Sequence, residues 1–362
     1  MILSTERVTT ESNQYDIYLA ENYNELISSL STLGSFSSIS VISEKKIADY
    51  YYSSISQELS KHNIKHQLVL FEGKERNKHI SRTGRIYNEI IQFGADRKSL
   101  ILALGGGVVG DFSGFIAATF LRGIRYVQLP TTLLACVDSS VGGKVAVNAD
   151  LGKNMIGAFH QPSLVYAGLH TLDTLSLKDW KCGLAEILKH SLLSGGDFFD
   201  KMKKITKRNY KKISNVQFFI KESVKYKSQI VSQDPKENNI RAVLNLGHTM
   251  GHAIESFCNY KGITHGEAVS VGLVTALILS EIKLGLDPIV REEVLWIMKN
   301  IALPYKYPIP AKEAIKHMLY DKKNQLGKIK YILLKKIGEP DYQHFASPEE
   351  IEEAIRIQNS IK

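Results

Sequence analysis

Ile101-Leu102-Ala103-Leu104-Gly105-Gly106-Gly107-Val108-Val109-Gly110-Asp111 is the stretch on which the fold turns. Four apolar residues read as a strand covered on both faces. The strand ends in a glycine run, and residues 112–121 beyond it have helical character. A strand, a glycine turn and a helix start together make a cradle for a phosphate. Glycine lets the backbone approach closely, and the helix start offers free N–H groups. Gly105, Gly107 and Gly110 satisfy the spacing G-x-G-x-x-G, although a purely structural tight turn fits the same pattern.

Outward from this stretch, residues 15–19, 38–43, 67–71, 100–104 and 126–129 read as strands. Residues 24–33, 45–61 and 78–93 between them carry apolar residues at helical spacing. Alternating strands and helices predict a parallel sheet covered by helices, a Rossmann-like α/β domain. Beyond about residue 175, strand-like runs nearly vanish until 330–334, and long amphipathic helical stretches take over. The turn-rich segment 160–174 is the expected boundary. The expected organisation is an α/β dinucleotide-binding domain over 1–174 and a mostly α-helical metal- and substrate-binding domain over 175–362.

Composition bounds the function. The chain has 362 residues, 44% hydrophobic and 23% charged, ordinary values for a globular protein large enough for two cores. Its three cysteines, Cys136, Cys182 and Cys258, form no CxxC pair, so a reducing compartment fits better than a disulfide framework. No apolar targeting segment is visible at the start, and no apolar stretch reaches the roughly 20 residues needed to cross a bilayer. A cytoplasmic protein with no membrane partner is expected. The net charge of +9 suits either a nucleic acid or a small polyanion. The densest run, seven Lys or Arg within 201–212, lacks interleaved aromatics and reads as a solvated face. No nucleic-acid partner is expected.

Two features depart from an ordinary Rossmann domain. The glycine motif follows a late strand, and no Asp or Glu occurs between Phe112 and Val137, where a ribose-binding acid would be sought. Glu44, directly after an earlier strand, is the alternative candidate, and an exposed helix-start acid is its plain reading. Pro130-Thr131-Thr132, Gly142-Gly143-Lys144 and Gly152-Lys153-Asn154 follow. Two lysines delivered by glycine-bearing turns point to an anion.

The second half carries a different chemistry. Glu186 and Lys189 share one face of an apolar helix, with an ion pair as the plain reading. His248 and His252 lie one helical turn apart, flanked by Gly247 and Gly251, and His265-Gly266-Glu267 opens another helix. Imidazoles with a carboxylate suit zinc or a similar divalent ion. Spacing alone nominates His248 and His252 as co-ligands.

Taken together, the stretches GGGVVGDFSGFIAATFLRGI, LPTTLLACVDSSVGGKVAVN, LGKNMIGAFHQP, GLAEILKH, RAVLNLGHTMGHAIES, HGEAVSVG and DKKN closely resemble the 3-dehydroquinate synthase family of sugar phosphate cyclases. They span residues 105–324 in family order. The resemblance implies a lyase of the shikimate pathway that converts 3-deoxy-D-arabino-heptulosonate 7-phosphate to 3-dehydroquinate and phosphate. Transient oxidation by NAD+, β-elimination, re-reduction and aldol closure would follow one another, leaving NAD+ unconsumed.

It further implies that Glu186, His248 and His265 bind the metal, zinc first and cobalt as an alternative, and it moves His252 to the substrate side. Asp138, Lys144, Lys153, Asn154, Lys189, Lys227, Arg241, Asn245 and Lys323 match positions around substrate or cofactor. Arg122 matches an arginine reaching the neighbouring subunit's site, which implies a homodimer. For NAD+ it points to Gly107, Val108, Val109, Gly110, Asp111, Thr131, Thr132, Lys144, Lys153, Thr171, Leu172, Asp173 and Thr174. A loop that reads Asp-Gly-Glu-x-x-Lys in the family is Gly73-Lys74-Glu75-Arg76-Asn77-Lys78 here, keeping Glu75 and Lys78; its acidic Asp-Glu-x-Glu stretch is Asp234-Pro235-Lys236-Glu237. Two rivals remain. One is a related cyclase such as a 2-deoxy-scyllo-inosose synthase, against which Gly142-Gly143-Lys144 and Leu244-Asn245 argue. The other is a metal-dependent polyol dehydrogenase.

Overall fold

Strand β5 (Leu100–Gly105) is buried at every residue, and its side chains divide between the two faces of a sheet. Leu100, Leu102 and Leu104 enter one apolar core with Val41, Ile55 and Leu59. Ile101 enters the other with Ile42, Phe112 and Ile116. Each such side chain removed from water stabilises the fold by roughly 1.5–3 kcal/mol before entropy is set against it. The computed structural model describes residues 1–11, 13–319 and 329–362.

The described residues form two compact units, 1–175 with 227–236, and 176–226 with 237–362. The first holds a seven-stranded sheet of β1 (Ile2–Thr9), β2 (Gln14–Ala20), β3 (Ile39–Ser43), β4 (His66–Leu70), β5, β6 (Arg125–Pro130) and β9 (Leu164–Gly168), in the order β1-β2-β9-β6-β5-β3-β4. Only β1 runs antiparallel, pairing with β2. Helices α1 (Leu26–Ser31), α2 (Lys45–Lys61), α3 (Thr83–Gln92) and α4 (Gly107–Thr119) connect the strands, and β7 (Lys144–Ala149) and β8 (Gly152–Phe159) form a separate antiparallel hairpin.

The chain steps outward from β3 to β4, then returns to place β5 on the other side of β3. The sheet order reverses between β3 and β5, and in open α/β sheets ligands bind beyond the carboxyl ends of strands at such a point. The fifth strand therefore carries the glycine motif because it flanks the switch. Ser43 Oγ donates to Leu104 O at 2.8 Å and locks the two strand ends together.

The second unit contains α5 (Leu177–Ser194), α6 (Gly196–Met202), most of α7 (Ile213–Gln233), α8 (His248–Phe257), α9 (His265–Leu284), α10 (Pro288–Ile301), α11 (Ala311–Leu319) and α12 (Pro348–Ser360), with a hairpin of β10 (Ile329–Lys336) and β11 (Glu339–Ala346). Fourteen residues of α9, from Gly266 to Ser280, are buried, so it is the axis around which its neighbours pack. No helix among the described residues is long and apolar enough to cross a membrane.

Three local expectations change. The 160–174 segment, expected to be turn-rich, contributes β9, a fully buried strand between β2 and β6. The helix after β5 starts at Gly107, not after Asp111, so Gly106 alone forms the turn. The 227–236 segment belongs with the first unit, where Lys227 Nζ donates to Asp138 O at 2.6 Å and to its Oδ1 at 2.7 Å.

Candidate cofactor cradle and candidate metal centre

In the first unit, Gly106 is the extended N-cap of α4 and has no side chain to cap the helix. The first-turn N–H groups lack that internal acceptor, which suits them to an anion. Space around the glycines is tight. A Cβ on Gly107 would lie 2.8 Å from Ser139 Oγ, and one on Gly106 would lie 3.0 Å from Thr132 Cγ2. Glu44 follows β3 across the switch point, and a Cβ on Gly73 would lie 2.7 Å from its Oε2. Bare backbone beside a carboxylate at a strand-order reversal fits a dinucleotide: pyrophosphate at the helix start, ribose hydroxyls at the acid. Thr131 N donates to Gly105 O at 3.0 Å, holding Thr131 and Thr132 beside the glycines.

Lys78 is a hub in the same unit. Its buried Nζ donates to Asp111 Oδ2 at 2.8 Å and Asn154 Oδ1 at 2.6 Å, with Glu75 Oε1 at 3.7 Å. Burial works against its charge, but Asp111 and Glu75 outweigh that and raise its pKa. Burial likewise pushes the Asp111 carboxyl up, while Lys78 pulls it back. The result is one network from the 73–78 loop through α4 to the start of β8, where Asn154 takes a left-handed φ of 54°. Lys153 Nζ stands 3.8 Å from Glu75 Oε2, and Lys144 lies exposed at the start of β7.

Two residues escaped the sequence reading. Asn148 Nδ2 donates to Glu75 O and Oε1, both at 3.0 Å, while its Oδ1 accepts from Asn154 N at 2.8 Å. It sat in plain view at the end of a matched motif. Tyr51, hidden in the apolar face of α2, shares a 2.8 Å hydrogen bond with Thr174 Oγ1 and donates to Thr171 O at 3.3 Å. That bond fixes the turn in which Thr171 and Leu172 are buried and Asp173 is exposed.

The second unit gathers the acid and the histidines. Ser176 caps α5, which presents Glu186 and Lys189 at 0% and 1% exposure, joined as an ion pair. His248 opens α8 after Gly247, whose φ is 79°. His265 opens α9 through a capping box in which Thr264 and Glu267 satisfy each other's backbone N–H groups. Glycines let these helices meet: a Cβ on Gly266 would overlap the Cys182 backbone, and one on Gly272 would overlap Gly247 O. Ligand atoms of Glu186, His248 and His265 consequently lie within 4.8 Å of one another. Glu186 Oε1 is 3.4 Å from His265 Nε2 and 3.8 Å from His248 Nε2.

Electrostatics separates the two imidazoles. Burial, with the nearby Lys189 charge, holds His248 well below the ordinary histidine pKa, against the pull of Glu186. Burial also disfavours the charged form of His265, but its hydrogen bonds to Glu186 and Glu255 outweigh that and raise it to about 10. A buried carboxylate converging with two imidazoles is the donor set of zinc-like ions, and it lacks the oxygen shell that calcium or magnesium requires. His252, the partner favoured by spacing, stands on the exposed side of α8, with its ring centroid 5.4 Å from that of His248. Asn245 Nδ2 donates to Glu237 Oε1 at 2.6 Å, and Arg241 is buried at 2%. Lys323 and the DKKN motif lie outside the described residues.

Known proteins resemble this chain in sequence and in fold. The family models for the N-terminal and C-terminal parts of 3-dehydroquinate synthase match residues 68–182 and 183–324. A 3-dehydroquinate synthase of Leptospira interrogans serogroup Icterohaemorrhagiae serovar copenhageni is 50% identical over 361 residues, covering 99% of each chain. A 2-deoxy-scyllo-inosose synthase solved with carbaglucose-6-phosphate, NAD+ and Co2+ superposes with a TM-score of 0.90 at 25% identity, covering 98% of this chain and all of its own. The 2-epi-5-epi-valiolone synthase of Streptomyces hygroscopicus subsp. jinggangensis, solved with NAD+ and Zn2+, has the same fold, with a TM-score of 0.86 at 23% identity over 97% of this chain and 98% of its own. With two adjoining family models over most of its length and a relative half identical from end to end, the chain belongs to the 3-dehydroquinate synthase family.

Proposed function

We propose that this enzyme converts 3-deoxy-D-arabino-heptulosonate 7-phosphate to 3-dehydroquinate and phosphate, using NAD+ and a divalent metal, zinc first. The observation that carries this reading is the end-to-end likeness, at 50% identity, to a 3-dehydroquinate synthase, against 25% to the inosose synthase. Bound at the glycine cradle and at the Glu186–His248–His265 cluster, the two cofactors would supply a reversible hydride acceptor and a Lewis acid toward substrate oxygens.

The remaining work falls to the chain's own groups. A substrate with a phosphate and a carboxylate needs several cations, and Lys144, Lys153, Lys189, Lys227 and Arg241 are assigned to it. Lys227 also orients Asp138, with one hydrogen bond to its carboxylate Oδ1 and one to its backbone carbonyl. Asn154 and Asn245 donate neutral hydrogen bonds, Lys323 adds a further cation, and His252 carries a proton to or from the substrate. Glu44, Gly73, Glu75, Lys78 and the Thr171–Thr174 turn position the dinucleotide.

A cytoplasmic homodimer completes the reading. β8 is exposed along residues 154–157 and shows Met155, Ile156 and Phe159 to solvent, an apolar edge of the kind that association covers. Leu121 and Arg122 both hold left-handed φ values, 49° and 70°, a strain kept at functional turns and suited to an arginine offered to a second subunit. The three free cysteines are compatible with a reducing compartment. Product identification tests the reading. Dehydroquinate from the heptulosonate phosphate supports it; an inosose from glucose 6-phosphate, with no dehydroquinate, overturns it.

A further inference from the structure

His265 touches two carboxylates, and only Glu186 lies toward His248. The other is Glu255, on the last turns of α8 and buried at 6%. Glu255 Oε2 is 3.1 Å from His265 Nδ1, so the ring donates there as Nδ1–H and its Nε2 turns toward Glu186 Oε1, 3.4 Å away. His248 is arranged in the same sense: its Nδ1 is 3.2 Å from the Leu246 carbonyl, and its Nε2 faces the same oxygen of Glu186. Both imidazoles thus have Nδ1 tied back and Nε2 turned inward, one by a neutral carbonyl and the other by a charged carboxylate.

We propose that Glu255 is a positioning residue of the metal centre, fixing the tautomer and ring orientation of His265 and strengthening it as a ligand. The inference rests on the metal reading given above. An outer carboxylate accepting from the far nitrogen of a ligating histidine orients the ring and makes the inner nitrogen more basic. Here the carboxylate comes from α8 and the histidine from the first position of α9, so the same bond ties together the helices bearing two of the three ligands. Gly251 allows the approach, because a Cβ there would lie 3.3 Å from the Ala268 and Val269 backbone.

The test is Zn2+ affinity by chelator competition on the full chain, with thermal unfolding of the metal-free protein measured alongside. Wild type should bind one ion; no stoichiometric binding would overturn the metal reading itself. Glu255→Ala, given one ion in wild type, should weaken Zn2+ binding by about 10–100-fold. Glu255→Gln keeps a neutral acceptor for Nδ1–H and should fall between wild type and Glu255→Ala, with a metal-free melting temperature near wild type. Wild-type affinity in Glu255→Ala would overturn the inference, as would equal losses in both variants.

Discussion

The cradle of the first unit and the histidine centre of the second are built on opposite principles. The cradle works by absent side chains: Gly106 and Gly107 leave room that Thr132 and Ser139 bound, and a backbone helix start faces the opening. The centre works by charged side chains taken almost wholly out of water, Glu186 and Lys189 above all. A backbone-built site fails when atoms are added. A site built from buried charge fails when one partner is removed, because the other is left uncompensated. The same contrast decides what a sequence can reveal, since glycine runs are visible as letters while the meeting of distant side chains is not.

The largest effect is expected at the centre. Glu186→Ala should abolish metal binding and lower kcat/KM by about a thousandfold or more, the scale of losing a Lewis acid worth several kcal/mol. Titration with Zn2+ and steady-state assays check both. NAD+ affinity should change little, and a large loss of it would break the separation between the two sites.

Next is Lys78→Met. Removing a buried cation that holds Asp111 and Asn154 should cost about 2–4 kcal/mol of stability, below the full figure for a buried pair because Asp111 is part exposed. Denaturant unfolding measures this, and NAD+ binding should weaken in parallel while Zn2+ binding persists.

A smaller effect is expected from Gly107→Ala. The added Cβ must displace Ser139 Oγ, the end of a short side chain, so the KM for NAD+ should rise about tenfold, in the range of an overpacking cost of 1–3 kcal/mol. An unchanged KM would show that the cradle is not used for the dinucleotide.

The smallest concerns a charge at the surface. Burial works against the Asp341 carboxylate, but Gln343 N, Lys335 and His344 outweigh that and depress its pKa to about 2. A depressed carboxyl stabilises the fold above its ordinary pKa near 3.8, and that contribution is lost as pH falls toward 2. Asp341→Asn should therefore cost about 1 kcal/mol at pH 6, with the difference from wild type closing at low pH. Melting temperatures across that range check the sign, and catalysis should be untouched.

Much of the first unit was legible. The helix read at 45–61 is α2 to the residue, because its apolar face repeats at helical spacing with no breaker inside. The β7–β8 hairpin was not, since β8 is largely exposed and gives no alternation of apolar and polar residues. β9 was hidden by its flanks, since Leu164–Gly168 follows Pro162-Ser163, ends in a glycine and runs into the polar 170–174 stretch, all of which read as turn. In the second unit the ligand types were readable but their grouping was not. Spacing joined His248 to His252, whereas proximity joins His248 to His265, across a helix contact set by Gly251, Gly266 and Gly272. Periodicity within one helix carries no information on which neighbour its end will meet. The family motifs supplied the grouping.

The central claim is that a cradle for a recycled dinucleotide and a metal centre serve one cyclising lyase. The direct measurement is phosphate release and dehydroquinate formation from 3-deoxy-D-arabino-heptulosonate 7-phosphate, with NADH absorbance followed in the same cuvette. The account predicts equal yields of phosphate and dehydroquinate, dependence on both NAD+ and metal, abolition by a chelator, and no net NADH. Steady accumulation of NADH without phosphate release would contradict it and indicate a dehydrogenase.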